Sequence, residues 1–135
     1  MTHALALALV ACAGVFLVAL GLAALLRPRL ARTFLLGFAA SPAKHYMELA
    51  VRFAVGCALV LASPALPGAM AFSLFGWVLL ATTTLMLFLP WRKHRAFAQV
   101  SVPKALRYLP AVGLASLAAG VGTLWAVARA GAGVA

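Results

Sequence analysis

The sequence predicts an all-α membrane protein: an antiparallel bundle of four transmembrane helices with an interfacial segment in the first cytoplasmic loop. Three observations lead to this fold class. The chain of 135 residues is 67% hydrophobic and only 9% charged. Its apolar residues fall into four long runs. Its lysines and arginines collect in the first and last of the three connections between those runs.

The composition excludes a soluble globular domain. Soluble domains are about half apolar and about a quarter charged, whereas this chain has a mean hydropathy of +1.13 and too few polar side chains to cover a surface in water. Its length fits one domain. We therefore expect a single four-helix transmembrane domain over residues 1–135, with lipid as the solvent for most of its surface.

The first two apolar runs are long enough to cross a hydrocarbon core, which takes about 20 helical residues. The first covers about residues 4–26 and stops before Pro28, because proline disfavours helix at the residue before it. The second covers about residues 42–63. Ser41 suits an N-cap, and Pro42 suits the first position of a helix.

The last two runs have the same character. The third covers about residues 69–89 and stops before Pro90. The fourth covers about residues 104–128 and starts beside Pro103. Because proline inside a helix removes a backbone hydrogen bond, we expect Pro110 to kink this span near the membrane surface.

Lysine and arginine predict the orientation, because cytoplasmic connections carry an excess of them. The connections at 27–44 and 91–107 are basic, whereas the connection from Ser63 to Gly68 has no charged residue. The alanine-rich composition indicates a bacterial origin. We expect a multi-pass protein of the bacterial cytoplasmic (inner) membrane, with both basic loops in the cytoplasm and both termini outside.

The first basic loop contains the predicted interfacial segment. Between Arg29 and Ala40 the chain stays largely apolar, with Leu30, Phe34 and Phe38 among its residues. A short helix of this kind lies in the headgroup plane. The basic loops would contact anionic lipid headgroups there.

The net charge of +10 would indicate a nucleic-acid partner in a soluble protein. This chain has no soluble module to carry such an interface, so we expect no nucleic-acid partner. Basic residues beside membrane spans set the orientation of the protein and contact lipid headgroups, and these two roles are enough to explain the positive charge.

One polar cluster interrupts the second span. His45, Glu48 and Arg52 are spaced so that they share one helix face, and Glu48 is the only acidic residue of the chain. Three interpretations remain open. The cluster is a structural ion pair that lets Arg52 reside in the span; or Glu48 is a proton or cation site of a transporter or a polar contact to a partner subunit; or His45 and His94 contribute to a metal or haem site.

Small residues at four-residue spacing predict close helix packing, which is how membrane helices associate. They form a stripe on the second span and a shorter pair on the fourth: Ala50, Ala54, Ala58, Ala62, Ser116 and Gly120. Gly14 and Gly21 lie seven residues apart on the first span. We expect Thr82, Thr83 and Thr84 of the third span to bond their own helix carbonyls.

Motifs for catalysis are lacking. The sequence has no nucleophile elbow, no HExxH and no glycine-rich phosphate loop. Cys12 and Cys57 are isolated in apolar runs, so we expect no metal site and no cofactor. An interfacial enzyme acting on lipid through Glu48 and His45 is the only enzymatic alternative that the residues leave open, and we expect no enzyme.

The sequence therefore favours a structural or accessory membrane subunit that acts by helix–helix contacts, with itself or with a larger membrane protein complex. The alternative is a small oligomeric transporter or channel subunit that uses Glu48 as its coupling or selectivity group.

Overall fold

The computed structural model describes residues 2–37 and 41–132, and over these residues the protein is helical without a strand. Its six helices are α1 (Thr2–Leu26), α2 (Pro28–Gly37), α3 (Pro42–Ala62), α4 (Ala69–Leu87), α5 (Trp91–Ala105) and α6 (Leu109–Ala132), with 3-10 turns at Ser63–Ala65 and Leu106–Tyr108. Four of them, α1, α3, α4 and α6, are long and apolar enough to cross a membrane. The predicted all-α class and the predicted number of span-like helices are confirmed.

The start of α3 follows the sequence signals. The hydroxyl of Ser41 accepts a hydrogen bond from the backbone N–H of Lys44 at 3.3 Å, and Pro42 occupies the first helical position. At the other end of α3 the chain turns sharply. Gly68, the N-cap of α4, has a φ of 79°, which is the left-handed region that glycine enters without steric cost.

The helices after α4 begin at places that the prolines alone do not indicate. The second basic segment is itself a helix, α5, which runs through Pro103. A 3-10 turn follows, and α6 then begins at Leu109 and continues to Ala132. Pro110 therefore lies in the first turn of α6, where a proline removes no intrahelical hydrogen bond, instead of kinking a continuous span.

The first basic segment also forms a helix, α2. Arg29, Arg32 and Thr33 are exposed on one side of it, while Ala31 on the other side is buried. The Thr33 hydroxyl donates to the carbonyl of Arg29 at 3.0 Å. Phe38, which the sequence analysis placed in the interfacial segment, lies outside the described residues.

The four long helices are antiparallel where they touch, but they do not close into a ring. Helix α1 packs against both α6 and α3, and α3 packs against α4. Among the described residues, α4 makes extensive contact only with α3 and with the turn that joins them. Helix α4 is therefore an edge of the assembly.

Glycines set the closest contact, between α1 and α6. Gly14 and Gly21 on α1 face Gly120 and Gly113 on α6. A Cβ atom added at Gly120 would lie 2.7 Å from the backbone nitrogen of Val18 and 2.8 Å from the carbonyl oxygen of Gly14. One added at Gly21 would lie 2.8 Å from the carbonyl oxygen of Gly113. Only glycine fits this backbone-to-backbone approach.

A single glycine pair, Gly56 and Gly76, allows a similarly close approach between α3 and α4. A Cβ atom at Gly76 would lie 2.8 Å from Cγ2 of Val60 and 3.0 Å from the carbonyl oxygen of Gly56. One at Gly56 would lie 2.9 Å from the side chain of Leu80.

The predicted packing stripe on the second span is divided between two environments. Ala58 and Ala62 are buried, in a core cluster with Ala6, Val10, Leu66, Ala126 and Ala130. Ala50 and Ala54, nearer the start of α3, are exposed. On α6, Ser116 is half-buried and Gly120 is buried. The stripe faces a neighbour in one half of α3 only, because α1 packs on α3 at that end, where Ala126 and Ala130 of α6 belong to the same cluster.

Candidate functional site in the α3–α4 pair and the basic end of the molecule

Glu48 and Arg52 are joined on one face of α3, as the spacing in the sequence suggests. The distance between Nη1 of Arg52 and Oε1 of Glu48 is 3.8 Å. The Arg52 side chain is 31% exposed and the Glu48 side chain 24%. Both charges therefore lie on the surface of the helix assembly, neither in its core nor fully outside it.

Two threonines of α4 complete the surroundings of Arg52. Its Nη2 donates to the hydroxyl of Thr82 at 3.1 Å, and its Nε donates to the hydroxyl of Thr83 at 3.3 Å. Each threonine in turn donates its hydroxyl proton to its own helix, Thr82 to the Val78 carbonyl at 2.8 Å and Thr83 to the Leu79 carbonyl at 2.6 Å. The lone pairs of both hydroxyls are thereby left to accept from the guanidinium.

The expected bonding of Thr82, Thr83 and Thr84 to their own helix is observed. What the sequence analysis missed is that two of these hydroxyls also accept from Arg52. The short connection between α3 and α4 could have indicated this contact. An antiparallel hairpin with so tight a turn places the threonines level with Arg52.

Magnitudes show that this cluster is not self-sufficient in lipid. Arg52 lies ten residues beyond Pro42, about 15 Å along the helix at 1.5 Å per residue. An arginine near the centre of a span costs about 2.5–3.5 kcal/mol on insertion scales. A hydrogen bond between membrane helices returns about 0.6 kcal/mol, and an ion pair at 3.8 Å is longer than the about 2.8 Å of a strong charge-assisted bond.

His45 lies one turn closer to the start of α3 than Glu48. His45 is only 1% exposed, and its ring contacts the ring of Tyr46 edge-on, with the centroids 5.3 Å apart. A histidine so enclosed is not poised on the surface. The side chain of His94 lies outside the described residues, so a joint site with His45 stays a hypothesis.

A metal centre has no support in the described part of the chain, where no group of three or more His, Cys, Asp or Glu side chains is close enough to hold an ion. Cys12 is an exposed thiol on α1 and Cys57 a half-buried thiol on α3. Among the described residues, Glu48 contacts the guanidinium of Arg52, which in turn contacts the two threonine hydroxyls.

The two basic segments meet at one end of the molecule. Nη2 of Arg32 on α2 donates to the carbonyl of Leu106 at 3.4 Å, and the side chains of Ala24, Ala31, Leu106 and Leu109 form a small core beneath. Nine of the eleven lysines and arginines belong to these segments, and all nine are exposed: Arg27, Arg29, Arg32, Lys44, Arg92, Lys93, Arg95, Lys104 and Arg107. We call this surface the basic end.

Two arginines stack on tryptophans, one at each end of the molecule. The guanidinium carbon of Arg95 lies 5.4 Å from the ring centroid of Trp91 at the basic end. That of Arg129 lies 5.5 Å from the ring centroid of Trp125 near the opposite end. Both distances suit a cation–π contact.

No protein family model, no curated protein and no solved structure matches this chain.

Proposed function

We propose that this protein is a small structural or accessory subunit of the bacterial cytoplasmic membrane that acts by helix–helix contact at the face formed by α3 and α4. The partner is a second copy of the chain or a helix of a larger membrane complex. The observation that carries the proposal is the partial exposure of Glu48 and Arg52 on the edge pair of helices.

The apolar surface of α4 does not by itself support a partner. Met70, Phe75 and Leu85 are 84%, 72% and 71% exposed, but lipid covers apolar side chains as well as a protein does. The charges are different, because an ion pair turned toward hydrocarbon costs free energy that a polar partner helix or a water-filled gap removes.

The orientation belongs to the same proposal. Because cytoplasmic connections carry an excess of lysine and arginine, the nine cations at one end of the molecule lead us to expect the basic end in the cytoplasm and the turn between α3 and α4 outside. In a chain with Cys12→Ala and Cys57→Ala, Pro67→Cys should react with a membrane-impermeant thiol reagent in intact cells. Arg92→Cys should react only after the cells are opened, and the reverse pattern would contradict this orientation.

The partner can be sought by crosslinking. Val78 is exposed on α4 one turn from Thr82, and Val121 is comparably exposed on α6, at 52% and 56%. With a photoactivatable crosslinker on Val78→Cys, in the same cysteine-free chain, we expect a larger product. The matched Val121→Cys should give little.

Intact-complex mass spectrometry of the gently extracted protein then identifies the crosslinked species. A stoichiometric larger partner or a defined homo-oligomer supports the proposal. A monomer that crosslinks equally from both positions, or from neither, would overturn it.

A transporter or channel subunit is the second candidate, and one observation favours it. Besides Glu48, Arg52 has two further acceptors, the hydroxyls of Thr82 and Thr83, so in this candidate the guanidinium would keep bonding partners when Glu48 exchanges a proton or cation. If Glu48→Gln left abundance intact and abolished an ion or drug flux, this candidate would replace the first.

A further inference from the structure

An apolar groove lies between α1 and α2, directly below the basic end. It encloses about 240 Å³ and is lined by Leu30, Ala31 and Phe34 of α2 and by four residues on one face of α1, from Phe16 to Ala23. It is separate from the α3–α4 face. We infer that this groove holds an acyl chain of an anionic phospholipid whose phosphate is bound by Arg27 and Arg29.

The sequence builds the groove from small and large residues in alternation. Ala19 and Ala23 leave room between the two helices, one turn apart on α1. Phe16 and Phe34 meet at the far end, where their ring centroids are 5.9 Å apart at an interplanar angle of 51°. The result is an open slot that ends against two aromatic rings away from the basic end and is lined only by apolar side chains.

Two exposed cations lie at the corner where α1 gives way to α2, on either side of Pro28. Arg27 continues the groove-lining face of α1 one turn beyond Ala23. In contrast, Arg29, in the first turn of α2, lies on the side away from Ala31 and would have to extend its side chain around the corner. Among the described residues neither guanidinium has a protein acceptor, in contrast to Arg32, which donates to the Leu106 carbonyl. Guanidinium groups match phosphate oxygens in a planar, two-bond geometry.

Charge complementarity identifies the occupant. Glu48 is the only acidic side chain of the chain, and it is paired with Arg52 on α3, so the basic end has no internal counter-ion from an acidic side chain. The groove is smaller than the about 300–1,000 Å³ of pockets for drug-sized ligands. A slot for hydrocarbon with two cations at its headgroup end fits a lipid tail and its phosphate better than a free ion or an apolar helix.

The first test removes the cations. Purified protein in mild detergent is titrated with phosphatidylglycerol or with phosphatidylcholine of the same chains, and bound lipid is counted by intact-complex mass spectrometry. Each juxtamembrane cation strengthens attraction to anionic lipid about fivefold, so the double change Arg27→Gln and Arg29→Gln should weaken phosphatidylglycerol binding about 25-fold.

The matched control removes the same charge elsewhere at the basic end. Arg92→Gln with Lys93→Gln alters two exposed cations of α5, a helix that contributes no residue to the groove lining, and should therefore change binding less than threefold. If this pair weakens binding as much as the first, the attraction is diffuse and the inference fails. Equal binding of the two lipids by the unaltered protein would also overturn it.

The second test fills the groove without changing charge. Ala19→Phe places a ring in the slot, whereas Ala8→Phe places one on an exposed part of α1 away from it. Ala19→Phe should abolish the phosphatidylglycerol preference, and Ala8→Phe should leave it intact. Unchanged lipid binding by Ala19→Phe would remove the groove from the site, and a changed oligomeric state would identify a second copy as its occupant.

Discussion

The α1–α6 pair and the α3–α4 pair both pack their helices closely, but different interactions hold the two pairs together. Both are antiparallel and both bring glycine against backbone. The α1–α6 contact has two glycine pairs, and no side-chain hydrogen bond joins these two helices among the described residues. The α3–α4 contact has one glycine pair and carries Arg52 with its two threonine acceptors.

The difference separates a scaffold from a candidate site. Because lipid would supply no hydrophobic force between helices, α1 and α6 in a membrane would be held by close van der Waals contact over their glycines. The α3–α4 pair exchanges part of that contact for polar bonds and leaves charges partly uncovered.

The largest expected effect is at the α1–α6 contact. Gly120→Ala places a methyl group within 2.7 Å of a backbone nitrogen held on the opposite helix, so α1 and α6 must separate. Overpacking of this kind costs about 1–3 kcal/mol. Thermal unfolding in detergent measures it.

Gly122→Ala is the control, on the same helix two residues away. A Cβ atom there has nothing within 4 Å. The change should not lower the stability, because alanine is the better helix former, by up to about 1 kcal/mol at an exposed interior position. Equal losses from the two substitutions would mean that the glycine contact is not what holds α1 to α6.

A smaller effect is expected from Gly76→Ala in the α3–α4 contact. The added methyl group would again meet backbone, at 3.0 Å from the nitrogen of Val60. However, α4 is an edge helix with room to move away, so we expect about 1 kcal/mol, toward the low end of the overpacking range. A loss larger than that of Gly120→Ala would show that α4 is held on its outer side as well.

Neutralising the ion pair tests whether polar bonds contribute to the second contact. Glu48→Gln and Arg52→Gln should each lower abundance in the membrane and thermal stability in detergent. Because both groups are partly exposed, the loss is at most about 1 kcal/mol. Equal stability of both variants and the unaltered protein would leave the pair without a structural role and direct attention to transport.

The smallest effect concerns a single hydroxyl. Thr82→Val removes one acceptor of Arg52 while keeping the shape of the side chain, and it should cost about 0.6 kcal/mol, the mean for hydrogen bonds between membrane helices. Thr84→Val is the matched control, since Thr84 bonds only its own helix at Leu80. Indistinguishable unfolding of the two variants would contradict the contact between Arg52 and Thr82.

The features that the sequence predicted correctly are those that depend on short segments of the chain. The start of α3 at Ser41 and Pro42, the spacing of Glu48 and Arg52 on one face, and the four apolar runs all depend on neighbours in the chain. Hydropathy and proline positions report where a helix can exist. They do not report that α5 would continue through Pro103, because that boundary depends on what the segment packs against.

The tertiary features were beyond the sequence for a related reason. Gly14 and Gly21 stood out as small residues, but nothing local indicated that Gly120 and Gly113 would face them. Likewise, Ala50 and Ala54 belong to the same stripe as Ala58 and Ala62, and only the positions of α1 and α6 decide which pair is covered. A stripe reveals a capacity for contact, whereas the fold determines where it is used.

The pairing of the first and last helices has a consequence for biosynthesis. Gly14 and Gly120 are 106 residues apart, so at about 5–20 residues per second α6 is made about 5–20 s after the part of α1 that it packs against. The α3–α4 hairpin, whose glycines are 20 residues apart, is completed within about 1–4 s. During the remaining interval Gly14 and Gly21 of α1 are uncovered and accessible to insertion factors and proteases. In a chain truncated before α6 they would stay uncovered.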